Sequence, residues 1–259
     1  MGVVGGNTTS ATGGLNAAET RFQKELGIED SKESFYSDTM KGGYNLNDSA
    51  LVHEMVNKAP ETVDWLVSIG VDLTDVGKMA GSTNKRTHRP QGGAAVGAHM
   101  IPVLESAAKT LGVDLRKNSK VIDIISDNGS AAGVVVQKDN QTYTIKAKAV
   151  IIATGGFGAN SQMVESYVPS LVGFGTTNHK GATGDAFAWI EKFDGQLTQM
   201  DQIQTHPTVV PSNGVMITEA VRGNGAIMVN REGKRFGTEM ATRDVMSANV
   251  LAQTGKTAY

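Results

Sequence analysis

The spacing of apolar positions predicts two long helices in the first half of the chain. In residues 47–70 the apolar residues recur at helical spacing, and Asn47 to Ser49 supply candidate N-caps. Pro60 lies inside this pattern, so the sequence predicts a helix that is split or kinked there. Residues 100–112 repeat the helical spacing and end at Gly112, a residue type that commonly terminates helices. The polar, Gly-rich residues 70–93 between the two helices are predicted to form one long loop.

The pattern changes to short β-type segments after residue 119. Residues 120–126, 131–137 and 142–147 are predicted strands, and Asn128-Gly129 between the first two is a strong hairpin signal. These segments predict an antiparallel meander. The next segment, "AVIIATGG" at 149–156, has an apolar run without alternation, which is typical of a strand buried on both faces of a parallel sheet. The chain is therefore predicted to be a mixed α/β protein, with a ligand site beyond the end of this strand.

Composition narrows the range of functions. A chain of 259 residues can bury a sizeable core, and its net charge of −2 shows no basic balance that would suggest nucleic acid as a partner. The absence of cysteine excludes disulfides, thiolate catalysis and Cys-ligated zinc, and no metal site is predicted. No apolar run approaches the roughly 20 residues of a membrane span.

The stretch "TEAVRGNGA", residues 218–226, carries the candidate chemistry. It places Glu219 and Arg222 three residues apart before a glycine-rich turn, while Arg243 begins the next helical pattern and His206 lies twelve residues upstream of the stretch. Taken alone, Glu219 and Arg222 are typical of a surface ion pair, which contributes little to stability. Arg243 alone is typical of an exposed charge at a helix start, and His206 of a structural histidine.

A set of motifs identifies a family resemblance. In chain order they are "GGNTTSATGGLNAAET", "HRPQGGAAVGAH", "ATGGF", "TNHKGATGD", "HPT", "GVMITEAVRGNGAIMVNREGKRF" and "TRD". Together they resemble the flavoprotein domain of the soluble fumarate reductase and flavocytochrome c group, within the succinate dehydrogenase/fumarate reductase flavoprotein superfamily. The resemblance covers the whole chain.

The resemblance implies a domain organisation. Residues 1–200 are expected to be the central part of a two-dinucleotide-type FAD-binding domain, with a parallel sheet and an antiparallel meander. Residues 201–259 are expected to begin an α+β capping domain. The chain is expected to lack both the first glycine-rich βαβ unit and the remainder of the cap.

The resemblance also implies a reaction, the reduction of fumarate to succinate by hydride transfer from flavin N5. Arg243 is then the proton donor to the substrate carbon, and Glu219 and Arg222 form the relay that reprotonates it. Cationic donors of this kind stabilise the charge that develops on the substrate carboxylate. The expected substrate-binding residues are His206, Thr218, Glu219, Met216, Met79 and Gly14.

FAD is expected to be bound noncovalently. Asn7 stands where membrane-bound relatives carry the histidine that bonds to FAD, and no histidine is near it in the sequence. The expected cofactor-binding residues are Gly6, Asn7, Thr8, Thr12, Gly13, Gly14, Val121, Ala153, Thr154, Gly155 and Asp185.

Several alternatives stay open at the level of sequence. The substrate could be another enoate, such as urocanate or an acrylate. The reaction could run in the oxidising direction, as in succinate dehydrogenase, aspartate oxidase or ketosteroid dehydrogenase, or the chain could be a truncated module without flavin or activity. The electron donor, expected to be a haem domain, an FMN domain, or reduced flavin or nicotinamide, lies outside residues 1–259, and the sequence does not indicate a compartment.

Overall fold

A computed structural model describes residues 2–79, 81–223 and 225–259 of the chain. The chain forms two compact units. The first unit contains Met1–Asn7, Asp114–Gln204 and Pro211–Val215, and the second contains Thr8–Val113, Thr205–Val210 and Met216–Tyr259. The assignment of residues 1–200 and 201–259 to FAD-binding and capping domains stays a prediction.

Helices and strands occur in both units, which confirms the predicted mixed α/β class. The helices are α1 (Gly6–Thr9), α2 (Arg21–Glu25), α3 (Lys32–Gly42), α4 (Ser49–Ser68), α5 (Val96–Thr110), α6 (Ser161–Tyr167), α7 (Phe187–Ile190), α8 (Glu219–Gly223) and α9 (Arg243–Leu251). Short 3₁₀ turns occupy Pro169–Leu171, Glu191–Phe193 and Thr254–Lys256. The strands are β1 (Leu15–Asn16), β2 (Asp75–Gly77), β3 (Thr87–Arg89), β4 (Lys120–Asp127), β5 (Ser130–Lys138) and β6 (Gln141–Lys146). Among the described residues, no helix is both long enough and apolar enough to cross a membrane.

Helix α4 runs through Pro60 as one element, so Pro60 does not split it, and the alternative of a kink stays a prediction. Its start is confirmed, because the Asp48 side chain caps the helix by accepting hydrogen bonds from the N–H groups of Ala50 and Leu51. The buried face of α4 continues on both sides of the proline, with Val52, Val56, Val63 and Leu66. Packing of this face stabilises the helix enough to offset the hydrogen bond that proline cannot donate.

Helix α5 ends where the sequence predicted. Gly112 has a left-handed φ of 73° and donates its N–H to the carbonyl of Lys109 at 3.0 Å. The helix begins earlier than predicted, and its first turn contacts the loop after α1. Gly97 donates its N–H to the carbonyl of Ala11 at 3.0 Å, and a β-carbon at residue 97 would collide with the carbonyl oxygen of Thr8.

The predicted long loop at 70–93 is only partly a loop, because it contributes two strands to a sheet. Strands β1, β3 and β2 form an antiparallel sheet in that order, with His88 of β3 opposite both Leu15 and Val76. Arg86, Thr87 and His88 are almost fully buried. The sequence does not reveal this sheet, because its strands are only two or three residues long and the buried side chains of β3 are polar, so no apolar alternation marks them.

Arg86 is paired inside the second unit. Its guanidinium lies 2.9 Å from Asp30 and 3.1 Å from Asp38, and it sits over the Phe35 ring at 5.0 Å. The side chains of Arg86 and Asp30 are 1% and 0% exposed. A buried charge of this kind is tolerated only when it is paired and hydrogen-bonded.

His88 completes this group of side chains, which we call the Arg86 cluster (Arg86, Asp30, Asp38 and His88). The Nδ1 of His88 lies 2.9 Å from the carbonyl oxygen of Arg86, and since a carbonyl only accepts, Nδ1 carries the proton. The Nε2 then accepts from the Thr20 hydroxyl at 2.8 Å. Burial lowers the pKa of His88 despite these hydrogen bonds, so the ring is neutral.

The predicted antiparallel meander is confirmed in the first unit. Strands β4, β5 and β6 pair in sequence order. Asn128 and Gly129 have φ of 50° and 79°, the positive values that a tight two-residue hairpin turn requires. One face of the meander contributes Ile124 to a core cluster with Ala186 and Trp189.

The predicted buried strand at 149–156 is absent from the described residues. Residues 151–156 have no regular secondary structure, and Ile151 is 91% exposed. Every strand pairing among the described elements is antiparallel. A strand buried in a parallel sheet needs hydrogen-bonding neighbours on both edges, and no described strand pairs with this segment.

Candidate functional site

A short antiparallel pairing in the second unit brings two of the predicted site positions, 206 and 219, near each other. Val209 and Met216 form an antiparallel bridge. Next to it, Ile217 donates its N–H to the carbonyl of Thr208 at 2.9 Å, and the Thr208 hydroxyl donates to the carbonyl of Ile217 at 2.7 Å. Continuing this register two residues further on each side sets residue 206 near residue 219.

Three predicted site residues meet here, and we call them the Glu219 cluster (His206, Glu219 and Arg243). Oε1 of Glu219 lies 3.2 Å from Nε2 of His206 and also accepts a hydrogen bond from Nε of Arg243. Glu219 begins α8 and Arg243 begins α9, so both side chains project from helix starts. Their side chains are 17% and 38% exposed, whereas that of His206 is 9% exposed.

The hydrogen bonds of His206 define its tautomer. Its Nδ1 accepts the backbone N–H of Thr208 at 3.3 Å, so the proton of the neutral ring lies on Nε2. Nε2 is close to Glu219 but is not aligned for a hydrogen bond, and it has no hydrogen-bond partner among the described residues. Burial lowers the pKa of His206, and although the Glu219 carboxylate acts to raise it, burial together with the charge of Arg243 outweighs that effect. His206 is therefore a neutral ring with an N–H available to a ligand.

Glu219 is the anion of the cluster. Burial acts to raise its pKa, but the hydrogen bond from Arg243, a backbone hydrogen bond and the nearby charge outweigh burial and lower the pKa. The cluster thus combines a carboxylate, a guanidinium bonded to it and a neutral imidazole donor. Such a set can bind an anion and can pass a proton between Glu219 and Arg243.

Arg222 lies apart from this carboxylate. It is buried, and its Nη1 donates to the backbone carbonyl of Glu239 at 2.6 Å, while its Nε has no partner among the described residues. No ion pair or hydrogen bond joins Arg222 to Glu219 in the described part of the chain.

Glu239 was not singled out by sequence reasoning, although it supports Arg222. Its side chain accepts hydrogen bonds from Arg235 at 2.5 and 3.1 Å and from the N–H of Met228 at 3.1 Å. The Arg235 hydrogen bond is the main cause that lowers the pKa of Glu239 to about 2. Since Arg222 binds a backbone carbonyl, which every residue has, no sequence signal could reveal this contact.

The other predicted substrate-binding residues lie in the same unit. Met216 forms the bridge described above, and the carbonyl of Thr218 accepts the N–H of Val221 at 3.1 Å. The Met79 sulfur accepts a hydrogen bond from Arg89 at 3.0 Å. At Gly14 a β-carbon would lie 2.5 Å from the carbonyl oxygen of His88, so only glycine fits there.

Two glycines of the predicted flavin-binding segment at the start of the chain have open space beside their backbone. Gly6 and Gly13 have no atoms within 4 Å of the space that a β-carbon would fill. Thr12, between them in sequence, is exposed. Thr8 and its neighbour Ala11 are held by backbone contacts to Gly97. A ligand can therefore approach this backbone closely.

The remaining predicted cofactor-binding residues lie in the first unit. The Asn7 side chain donates to Asn178 at 2.7 Å and accepts the N–H of His179 at 2.5 Å. Asp185 accepts the Thr183 hydroxyl at 2.8 Å and lies 3.3 Å from Lys120, and the Thr183 hydrogen bond is the main cause that lowers its pKa. Val121 packs against the Ile124 core cluster, whereas Ala153, Thr154 and Gly155 are exposed.

Comparison with known proteins places the chain among flavoproteins. Residues 1–258 match the family described as "FAD binding domain". The chain is 51% identical over 259 residues to a fumarate reductase (cytochrome) of Shewanella frigidimarina, covering 99% of this chain and 45% of that protein. It is 34% identical to a urocanate reductase of Eggerthella lenta, covering 100% of this chain and 44% of that protein.

The fold agrees with a solved structure. The open conformation of a flavocytochrome c3 fumarate reductase superimposes with a TM-score of 0.86 at 40% identity, over 98% of this chain and 45% of that chain. The chain spans less than half the length of each of these three proteins.

Proposed function

Because the chain belongs to the FAD binding domain family and its cofactor is FAD, we propose that the complete protein reduces fumarate to succinate. The observation that carries this proposal is the Glu219 cluster, in which one carboxylate contacts both an arginine and a neutral histidine with a free N–H. Similarity to a fumarate reductase at 51% identity over almost the whole chain supports the same substrate.

The residues present fit a noncovalent flavin. Gly6 in the first unit and Gly13 in the second each leave open space beside the backbone, as the close approach of a ring system requires. The carboxamide of Asn7 has no nucleophilic ring nitrogen, and it is engaged with Asn178 and His179. When bound, FAD supplies the hydride for the reduction.

The proposed role of Arg243 is to donate a proton to the substrate carbon. A free guanidinium has a pKa above about 12, so it can act as an acid only if its proton is replaced at once. Glu219 is suited to this because its Oε1 accepts the N–H of Arg243 directly. The buried, unpartnered Nε of Arg222 is the atom through which we propose that this arginine joins the relay.

The proposed role of His206 is to hold a substrate carboxylate. Its Nε2–H is a buried donor without a partner among the described residues, and an anion placed there would satisfy it. Thr218, adjacent to Glu219, is proposed to bind the same carboxylate. Met216 and Met79 are proposed to line the apolar alkene.

The first experiment tests the relay in the complete, FAD-loaded protein, with a reduced dye as electron donor. Glu219→Gln leaves Arg243 in place and interrupts only resupply of its proton, so turnover should fall strongly while substrate affinity stays nearly unchanged. The solvent isotope effect should grow as proton delivery becomes rate-limiting. The matched control is Glu61→Gln, which removes only an exposed pair with Lys58. Wild-type turnover in Glu219→Gln would show that Glu219 is only an ion-pair partner.

The second experiment tests the substrate. Since His206→Ala removes a binding interaction, mainly the KM for fumarate should rise. The intact protein should prefer fumarate to urocanate and to monocarboxylic enoates.

Reduction of urocanate is the second candidate function, favoured by the 34% identity to a urocanate reductase over the full chain. Equal turnover of fumarate and a monocarboxylic enoate would support this candidate and contradict the first. The electron donor, whether a haem domain, an FMN domain or a reduced flavin or nicotinamide, is proposed to lie outside this chain.

A further inference from the structure

The helix that carries Arg243 begins without a side-chain cap. Thr242 occupies the N-cap position of α9 with an extended backbone, but its hydroxyl makes no capping hydrogen bond to the helix. The first turn of a helix has backbone N–H groups without intrahelical partners, and an uncapped end frays. Arg243 is the first residue of this turn, so its position depends on whatever else fixes the helix start.

A distant tyrosine supplies that contact. The Tyr44 hydroxyl donates to Oδ2 of Asp244 at 2.8 Å and lies 3.4 Å from Oγ1 of Thr242. Tyr44 is 200 residues from Asp244 in sequence, yet it contacts the residues on both sides of Arg243. The hydrogen bonds from Thr242 and Tyr44 also lower the pKa of Asp244, so its carboxylate is a charged acceptor.

The backbone at Tyr44 is arranged for this contact. Tyr44 and Asn45 follow the end of α3 with φ of 55° and 58°, a left-handed conformation that is costly for a residue with a side chain. It is held by hydrogen bonds from Tyr44 N–H to the carbonyl of Lys41 and from Asn45 N–H to that of Met40. This turn sets the direction in which the tyrosine leaves α3.

We propose that Tyr44 is a positioning residue for Arg243, acting through Asp244 and the first turn of α9. The proposal rests on the proposed function, since it takes Arg243 as the proton donor. Tyr44 itself is 60% exposed, and an exposed hydrogen bond contributes little to global stability. Its effect is therefore local, on the alignment of the guanidinium with Glu219 and the substrate.

The test is Tyr44→Phe in the complete, FAD-loaded protein. The kcat for fumarate should fall roughly 3- to 10-fold, the range expected for loss of one positioning hydrogen bond, with KM unchanged. Amide hydrogen exchange should accelerate at Met246, whose N–H donates to the Thr242 carbonyl at the start of α9, while the global unfolding midpoint stays the same. Adding Thr242→Asn, a stronger N-cap, to Tyr44→Phe should restore part of both kcat and exchange protection.

Tyr36→Phe is the matched control, because Tyr36 is in the same unit and its hydroxyl lies 2.9 Å from the Ser49 hydroxyl, away from α9. It should leave kcat and the exchange of α9 at wild-type values. Wild-type kcat in Tyr44→Phe would overturn the proposal, whether or not exchange accelerates, and so would an equal loss in Tyr36→Phe. If the wild-type protein does not reduce fumarate, the proposed function fails by itself. In that case, amide hydrogen exchange of α9 in Tyr44→Phe still tests whether Tyr44 stabilises the start of the helix.

Discussion

Two groups in the second unit use the same three residue types for different ends. The Arg86 cluster and the Glu219 cluster each combine arginine, carboxylate and histidine. The Arg86 side chain is 1% exposed and lies over a phenylalanine ring, whereas that of Arg243 is 38% exposed. His88 has hydrogen bonds at both ring nitrogens, whereas Nε2 of His206 has none. Access to solvent and a free donor, rather than residue type, distinguish a group suited to chemistry from one suited to packing.

The largest expected effect is on turnover and belongs to the Glu219 cluster. Arg243→Ala in the complete, FAD-loaded protein should lower kcat by roughly 10²–10⁴-fold or more, since it removes both the acid and a stabilising charge. Arg243→Lys should stay badly impaired because it keeps the charge but loses the planar fork. The free energy of unfolding should change little in both variants, because a half-exposed ion pair contributes little. A large loss of unfolding free energy in either Arg243 variant, measured in urea, would show that the Glu219 cluster also stabilises the fold.

The second effect is on stability and belongs to the buried cluster. Arg86→Met leaves Asp30 and Asp38 without their shared cation, so unfolding in urea should show a loss of about 3 to 5 kcal/mol. Arg21→Met is the control, because Arg21 is half exposed and lies 3.5 Å from Asp64. Equal stability of the two variants would show that burial does not separate the clusters.

The third effect is a pH dependence of stability. The pKa of His88 is lowered on folding by burial, so the unfolded chain takes up the proton first as pH falls. The contribution of His88 is therefore present above its unfolded pKa of about 6.5 and is lost as pH falls below it, at up to about 1.4 kcal/mol per pH unit. His88→Gln should flatten the slope of unfolding free energy between pH 7 and pH 5. A slope in His88→Gln equal to that of the wild type would contradict this role of His88.

The smallest expected effect is on the free energy of unfolding and concerns the hydroxyl of Thr20. Thr20 donates to Nε2 of His88 and also accepts the N–H of Gln23 at the start of α2. Thr20→Val keeps the shape and removes both hydrogen bonds, so the unfolding free energy should fall by about 1 to 3 kcal/mol. Thr20→Ser, which keeps the hydroxyl, should lose less, and the reverse order would show that packing of the methyl group dominates.

Sequence patterns predicted the elements whose signal is local. The meander was visible through Asn128-Gly129, and α4 and α5 through their apolar spacing and terminal residues. The residue types of the Glu219 cluster were visible through the family motifs, although only the folded chain shows that His206 and Arg243 share one carboxylate oxygen.

Elements that depend on distant partners were not predicted. Strand β3 is polar and very short, so its burial depends on Asp30, Asp38 and Thr20, which no pattern connects to it. The exposed segment at Ile151 is the opposite case, in which a strand was predicted but not formed. Its apolar run is strong, yet no described strand pairs with it. Tyr44 lies in an ordinary turn sequence, and nothing in that turn indicates a contact 200 residues away.

The contact of Gly97 with Thr8 has a consequence for engineering. By intrinsic helix preference, Gly97 in the first turn of α5 looks like a weak point, and replacement by alanine is a standard stabilising choice worth up to about 1 kcal/mol. In this protein, however, an alanine β-carbon at position 97 would collide with the carbonyl oxygen of Thr8 and displace the glycine-rich segment that contains it. Stabilising substitutions chosen by helix propensity alone would therefore exchange a gain in the helix for a distorted glycine-rich segment. Gly97 should therefore be kept in any stabilised variant of this protein.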